Sequence, residues 1–148
     1  MASYAEGTKV SVDKSQHEVM QLLSKHGITK KAMMSDEGSS SVGFEMTGVA
    51  YRITIVSPNR GDRSILRDGR GSQRTPQQQE SAYQAEDRRR WRSLVLVMKA
   101  KLVAIQDNIT TFEQEFLAYI VTDNGQTVGE RIIPQLQSGG PLALGSGR

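Results

Sequence analysis

TPQQQESAYQAEDRRRWRSLVLVMKAKLVAIQ, residues 75–106, is the stretch that decides how this chain folds. Thr75 is a good side-chain N-cap, Pro76 suits the first helical position, and Gln78 stands where it can reach back to the Thr75 backbone. Further on, Trp91, Val95, Met98, Leu102 and Ile105 recur at spacings of 4, 3, 4 and 3, which is one helical seam. Leu94, Leu96 and Val97 widen it, so the middle turns read as buried on most sides. The expectation is one helix from Thr75 to about Gln106, roughly 45 Å long at ~1.5 Å per residue. Its first half, rich in Gln, Glu and Arg, is more than a small domain can cover. That half is expected to project or to pair with another chain, giving a homo-oligomer through the long helix.

Upstream of it the period changes to two. In Val42-Gly43-Phe44-Glu45-Met46 and again in Val49-Ala50-Tyr51-Arg52-Ile53-Thr54-Ile55 the apolar residues alternate, with Thr47-Gly48 between them at hairpin length. The pattern predicts an antiparallel sheet with one packed face and one wet face carrying Glu45, Arg52 and Thr54. Thr29–Met34 reads as a further strand, closed by Asp36-Glu37-Gly38. Before the sheet, Val12, Val19, Leu22 and Leu23 form an apolar stripe. They predict a helix from about Asp13 to Lys25, capped by Asp13 with Gln16 or by Ser15 with Glu18, and ended by Gly27. After the long helix, Thr110 with Glu113 opens a helix whose inner face is Phe112, Phe116, Leu117 and Ile120. Asp123-Asn124-Gly125 is a turn, and Thr127 with Glu130 starts a last short helix that Pro134 should kink or end. The fold class is therefore α+β: a small antiparallel sheet of about three strands packed on one long helix, with short N- and C-terminal helices. Residues 1–11 read as a flexible arm, 12–137 as a single domain, and 138–148 as a disordered tail.

Charge is segregated along this plan. Between Arg60 and Lys101 there are eleven Arg and Lys residues against five Asp and Glu, a net of +6, whereas the whole chain of 148 residues carries +3. The positive charge falls in two blocks. Arg60, Arg63, Arg67, Arg70 and Arg74 lie in a Gly-rich segment, 57–74, in which Ile65 and Leu66 are the apolar pair; its composition predicts a mobile basic loop. Arg88, Arg89, Arg90 and Arg92 surround Trp91 in the long helix, and Lys99 follows seven residues after Arg92, on nearly the same face. Guanidinium forks pair with phosphate oxygens, and an exposed Trp stacks on an unpaired base. Trp91 has two readings, a core residue that opens the seam or a stacking residue, and its spacing to Val95 and Met98 favours the core. Lys101 is read as snorkelling from a packed edge.

Several chemistries are disfavoured by residue type. The chain has no cysteine, which removes disulfides, thiolate metal sites and thiol nucleophiles together. His17 and His26 have no carboxylate at ligand spacing. Ser39-Ser40-Ser41, read as a hairpin turn, has no base in view. Glu113, Glu115, Asp123 and Glu130 are the residues that would have to converge for a metal-dependent nuclease, but caps and a turn already account for three of them. Segment 57–74 holds no phosphate-cradle motif. No apolar run approaches the ~18 residues of a membrane span, and the first residues lack a signal-peptide pattern. The expectation is a cytoplasmic protein that is not an enzyme and uses no cofactor or metal.

The blocks VDKSQHEV (12–19), GFEMTGVAYRITI (43–55), RTP (74–76), RRRWRSLVLVMKAKLVAIQ (88–106) and ITTFEQEFLAYIVTDNGQTVGERIIPQL (109–136) resemble a family of small accessory proteins of tailed bacteriophages and prophages. The resemblance covers roughly Tyr4 to Leu136 and is most specific in Trp91–Lys101 and Ile109–Leu117. It implies a bacterial-host cytoplasm and an accessory phage role, and it carries no catalytic residue across. Together with the charge pattern it leads to the expectation of a non-enzymatic nucleic-acid-binding protein, preferring single strands or lacking sequence preference. Arg60, Arg63, Arg67, Arg70, Arg74, Arg88, Arg89, Arg90, Arg92 and Lys99 would hold phosphates. The rival expectation is a protein–protein inhibitor of a host defence or host metabolic enzyme, with the basic stretch docking on an acidic host protein. A weaker third reading is an architectural protein acting as an oligomer.

Overall fold

The computed structural model describes Ala5 and residues 7–139. Element order is α1 (Val12–Lys25), β1 (Lys31–Asp36), β2 (Ser39–Met46), β3 (Val49–Val56), α2 (Arg63–Leu66), α3 (Pro76–Gln106), α4 (Phe112–Glu115), a 3₁₀ turn (Leu117–Tyr119) and α5 (Val128–Gln137). The strands form an antiparallel meander in the order β1-β2-β3. The α+β class expected from the sequence is the fold observed.

Register sets the two faces of the sheet. Met33 pairs with Val42 and Val42 with Ile53, while Lys31 pairs with Phe44 and Phe44 with Tyr51. Because side chains alternate at period two, Val42, Phe44, Tyr51 and Ile53 share one face. That face is buried in one cluster with Val19 and Leu23 of α1, with Trp91, Val95, Met98 and Leu102 of α3, and with Phe116. The β2–β3 turn places Thr47 and Gly48 both at positive φ, 49° and 81°, the primed geometry that matches strand twist. On the opposite face Arg52 does not stay wet. Its Nη2 donates to the Gly125 carbonyl at 2.9 Å and meets Glu130 Oε1 at 3.0 Å, so the 122–127 turn and the start of α5 lie over that part of the sheet.

α3 begins and ends where its sequence signals lie. The Thr75 hydroxyl accepts from the Gln78 amide at 3.2 Å and the Gln78 side chain accepts from the Thr75 amide at 2.9 Å, closing the capping box. Trp91, Val95, Met98 and Leu102 are its buried residues. Trp91 is 3% exposed, so it is core and does not present a ring for stacking.

Other boundaries differ from expectation for local reasons. Caps at Asp13 or Ser15 are not used: Ser11 caps α1, accepting from the Lys14 amide at 3.1 Å, and Ser15 lies buried on the inward face. At the other end the Gly27 amide donates to Ser24 and the Ile28 amide to Leu23, a Schellman closure that spends residues 27–28 on leaving the helix. β1 therefore starts at Lys31 rather than Thr29. Ser39-Ser40-Ser41 lies in β2, not in a turn. α4 is capped by Thr111 with Gln114, one residue later than Thr110 with Glu113, and it lasts only four residues. This rotates Leu117 outward, to 54% exposure, while Phe116 becomes fully buried. α5 runs through Pro134, an exposed position, and the Pro134 carbonyl accepts from the Ser138 amide at 3.1 Å.

Segment 57–74 differs most. It contains α2, whose Ile65, one of the apolar pair, is 3% exposed and anchors the segment. Asp68 accepts from the Arg70 and Ser72 amides at 2.9 Å each, Arg67 donates to the Gly71 carbonyl, and Arg74 donates to the Ser64 carbonyl at 2.7 Å. The segment folds into a hook that packs against the first half of α3. The polar half of α3, expected to project or to pair with another chain, thus has the hook as a neighbour on one side, while most of residues 76–85 stay exposed. Of the expected arm 1–11, Ala5 is buried, at 1% exposure; residues 1–4 and 6, and 140–148 of the expected tail, lie outside the described residues.

Candidate anion-binding surface

The ten expected cationic residues separate into four places. The first is the base of the hook, where Arg60 pairs with Glu80 of α3 and lays its guanidinium 3.8 Å from the centroid of the Tyr83 ring. Arg60 holds Glu80 below the ordinary carboxylate range.

The second is the middle of α3. Arg89 and Arg90 both bind Glu86, one turn before them, the i,i+3 and i,i+4 spacings at which helical side chains meet. Arg89 first, then Arg90, hold Glu86 below its ordinary range against the opposing effect of burial. Arg90 also donates to the Val56 carbonyl at the end of β3, at 2.6 Å. Neighbouring Asp87 is displaced upward by burial, partly offset by Arg90. Arg88 is not a free surface cation either, for its Nε is buried and has no partner.

The third is the α1–α3 contact. Arg92 and Lys99 both reach Glu18 of α1, each at 2.8 Å. Arg92 first, then Lys99, hold Glu18 down to about 2. The expectation that Arg92 and Lys99 share a face is met, but the face is an internal seam between two helices. Since each residue turns the helix by ~100°, Arg88, Arg89, Arg90 and Arg92 splay around α3 and do not form one patch.

The fourth is the hook itself. Arg63, Arg67 and Arg70 are exposed, and among the described residues they and Arg74 have no carboxylate partner; Arg67 and Arg74 are held by backbone carbonyls, which leaves their charge uncompensated. Asp62 and Asp68 are the acids of the segment. Asp68 is turned toward backbone amides. Beside the hook, Asp68, Arg74, Gln77, Gln78, Ser81 and Ala82 line a shallow groove at the start of α3.

The carboxylates weighed as a nuclease cluster do not converge. Glu115 sits on Lys101, Asp123 on Arg131 and Glu130 on Arg52, and no group of three or more His, Asp or Glu side chains able to hold a metal ion occurs among the described residues. Lys101 does snorkel, reaching the Glu115 carbonyl at 3.0 Å with its ammonium 5.5 Å from the Phe116 ring. No helix among the described residues is long and apolar enough to cross a membrane.

Two residues missed by sequence reasoning reorganise the site: Glu86 and Glu18. The first was legible, because Glu86 stands three and four residues before Arg89 and Arg90. The second was not, because Glu18 meets Arg92 only once α1 has packed on α3. Comparison of the chain with protein-family models gives no match, and comparison with curated proteins and with solved structures gives none either.

Proposed function

We propose that this protein is a non-enzymatic accessory protein that binds nucleic acid through the hook 60–74, engaging phosphates without sequence preference. The observation that carries the reading is the uncompensated charge of Arg63, Arg67 and Arg70, displayed on one exposed turn-helix-turn. Arg74 shapes the hook by tying it to the Ser64 carbonyl. A preference for single strands has lost Trp91 as a stacking platform; Tyr83, half-buried under Arg60, is the aromatic ring left beside the hook. A setting in the cytoplasm of a phage-infected bacterium is supported by the resemblance of the Trp91–Lys101 and Ile109–Leu117 blocks.

The test is a salt titration of affinity for a mixed-sequence oligonucleotide. The triple change Arg63→Gln, Arg67→Gln, Arg70→Gln should lower the slope of log affinity against log salt by ~0.7–0.9 for each phosphate no longer neutralised. The triple change Arg89→Gln, Arg90→Gln, Arg92→Gln should leave the slope close to that of the unaltered protein. A larger effect from the second set, or no affinity in the unaltered protein at physiological salt, would defeat the reading. A second reading, inhibition of a host protein, is favoured by one observation: Ile109 and Leu117 are 77% and 54% exposed near the C-terminal end of α3. It predicts a host protein retained in the absence of nucleic acid and released on changing Ile109 and Leu117 to Ser.

A further inference from the structure

The chain treats the two edges of its sheet differently. Along β3 it takes up outward backbone groups itself: the Val121 amide donates to the Ala50 carbonyl at 2.8 Å, Ile120 bridges to Tyr51, and Arg90 Nη1 donates to the Val56 carbonyl at 2.6 Å. Along β1 it does not. The Glu45 amide donates to the Lys30 carbonyl at 3.0 Å. Antiparallel pairs alternate between bonded and unbonded, so residues 30, 32, 34 and 36 turn their backbone toward β2. Lys31, Met33 and Ser35 turn theirs outward, and among the described residues none of those N–H and C=O groups has a partner. Proline and bulges, devices that commonly blunt an edge, are absent: KAMMSD pairs with β2 without a break from Lys31 to Asp36. Its charged residues stand at the two ends and none in the middle.

We infer that β1 is a self-docking edge and that its occupant is the β1 of a second copy, running antiparallel about a two-fold at Met33. Register is the first argument. With the axis at Met33, Lys31 lies opposite the partner's Ser35, Met33 opposite the partner's Met33, and Ser35 opposite the partner's Lys31. These are the residues whose backbone is free, so every outward donor and acceptor meets its complement. Moving the axis to Ala32 or Met34 leaves Ser35 or Lys31 without a partner in the strand. Charge is the second argument. Lys30 is spent on Glu45 at 3.0 Å and contributes nothing here. Lys31 reaches only the Ile28 carbonyl, at 3.0 Å, which leaves its charge uncompensated. At the other end Asp36 and Glu37 have no cationic partner among the described residues; the Asp36 carboxylate accepts from the Glu37 amide at 2.8 Å. The antiparallel register sets Lys31 diagonally beside the partner's Glu37 on one face, within the reach of cross-strand pairs. A parallel neighbour would set lysine on lysine and acid on acid. On the outer face Met34, 49% exposed, meets the partner's Ala32, a large side chain against a small one. On the inner face Met33, already packed on the core, meets the partner's Met33 at the axis, so the core continues across it. The contact joins two three-stranded sheets into one and closes at a dimer. A six-residue strand puts it at the small end of specific interfaces, so a concentration-dependent dimer is the expected state. The inference is independent of nucleic-acid binding, because the hook packs on α3 and not on β1.

Sedimentation velocity over a concentration series tests it. The unaltered protein should pass from monomer to dimer as concentration rises. Ser35→Pro removes an outward N–H and no bond to β2, so it should weaken the dimer at least about 10-fold while the monomer keeps its stability in chemical denaturation. Lys31→Glu should weaken the dimer less. Pairing it with Glu37→Lys should restore the dimer, which a merely damaged fold would not do. Register is read with cysteines, since the chain has none of its own. Ala32→Cys and Met34→Cys proteins, mixed and mildly oxidised, should form a covalent heterodimer, and neither should crosslink alone, because like positions lie too far apart for a disulfide. A monomer at every concentration would overturn the inference and leave the edge to a strand of another protein. A dimer indifferent to Ser35→Pro, a failed charge exchange, or crosslinking of either cysteine variant alone would each overturn it as well.

Discussion

The hook 60–74 and the helical cluster 88–92 look alike in sequence and differ in structure. Both are arginine-rich, and composition alone assigns phosphates to both. In the helix the guanidinium groups of Arg89, Arg90 and Arg92 are spent on carboxylates one turn away or on a neighbouring helix, and the aromatic residue among them is core. In the hook Arg60 is likewise paired, with Glu80, but Arg67 and Arg74 bind carbonyls, which leaves their charge in place, and Arg63 and Arg70 are exposed. Summed charge along a segment therefore says little about charge presented to a partner. What decides is whether an acid lies within reach after folding, and a regular helix brings acids within reach at fixed spacings where a turn does not.

The largest expected effect comes from breaking the helical half of this comparison. Trp91→Ala removes a side chain that is 3% exposed in the central cluster, and large-to-small changes of this kind cost ~3–5 kcal/mol. Chemical denaturation should show that loss. A variant with unchanged stability but abolished oligonucleotide affinity would make 88–92 a binding surface after all. The hook offers the matching change. Ile65→Ala removes its buried anchor, at 3% exposure. Because the segment is peripheral, the expected loss is local, about 2 kcal/mol. Limited trypsin digestion should then cut between Arg60 and Arg74 much faster than in the unaltered protein. Equal cutting rates would mean that the segment is already mobile, as its composition suggests.

How much of this is legible in the sequence follows the range of the interactions involved. The α3 cap at Thr75, its end at Gln106, its seam and the Thr47-Gly48 hairpin are all readable, because each is fixed by contacts within a few residues. The start of β1 slips by two residues and the start of α4 by one where a competing local device, the Schellman closure or a second threonine, takes over, and α4 ends after four residues, well short of the expected inner face out to Ile120. The hook escapes a compositional reading because one isoleucine in a Gly/Arg-rich segment carries no periodicity, although a single buried side chain and a few side-chain-to-backbone bonds are enough to build a turn. The cations of the candidate site are all visible in the sequence, but a net charge counts their acids without pairing them. Glu18, 74 residues from Arg92, is beyond any local reading.

The smallest expected effect sharpens the comparison from the acid side. Glu18 is the shared partner of Arg92 and Lys99, and it is held at about 2 against an ordinary value of 4.5. A carboxylate depressed on folding adds stability that is present above its unfolded value and disappears as pH falls through its folded value. The contribution of Glu18 should therefore be complete above about pH 5 and fade between pH 4.5 and 2. Its side chain is 26% exposed, so solvent screens the pair and the net contribution is on the order of 1 kcal/mol. Glu18→Gln should lose that amount at neutral pH and little at pH 2, so the stability curves of variant and unaltered protein should converge on acidification. The same change frees Arg92 and Lys99 from their acid without touching the hook. If affinity for the oligonucleotide rises clearly in Glu18→Gln, an internal carboxylate had been withholding a phosphate site, and the helix would rejoin the hook as part of one surface. If affinity stays the same, the pair is a structural fastening between α1 and α3, and the division between spent and presented arginines holds.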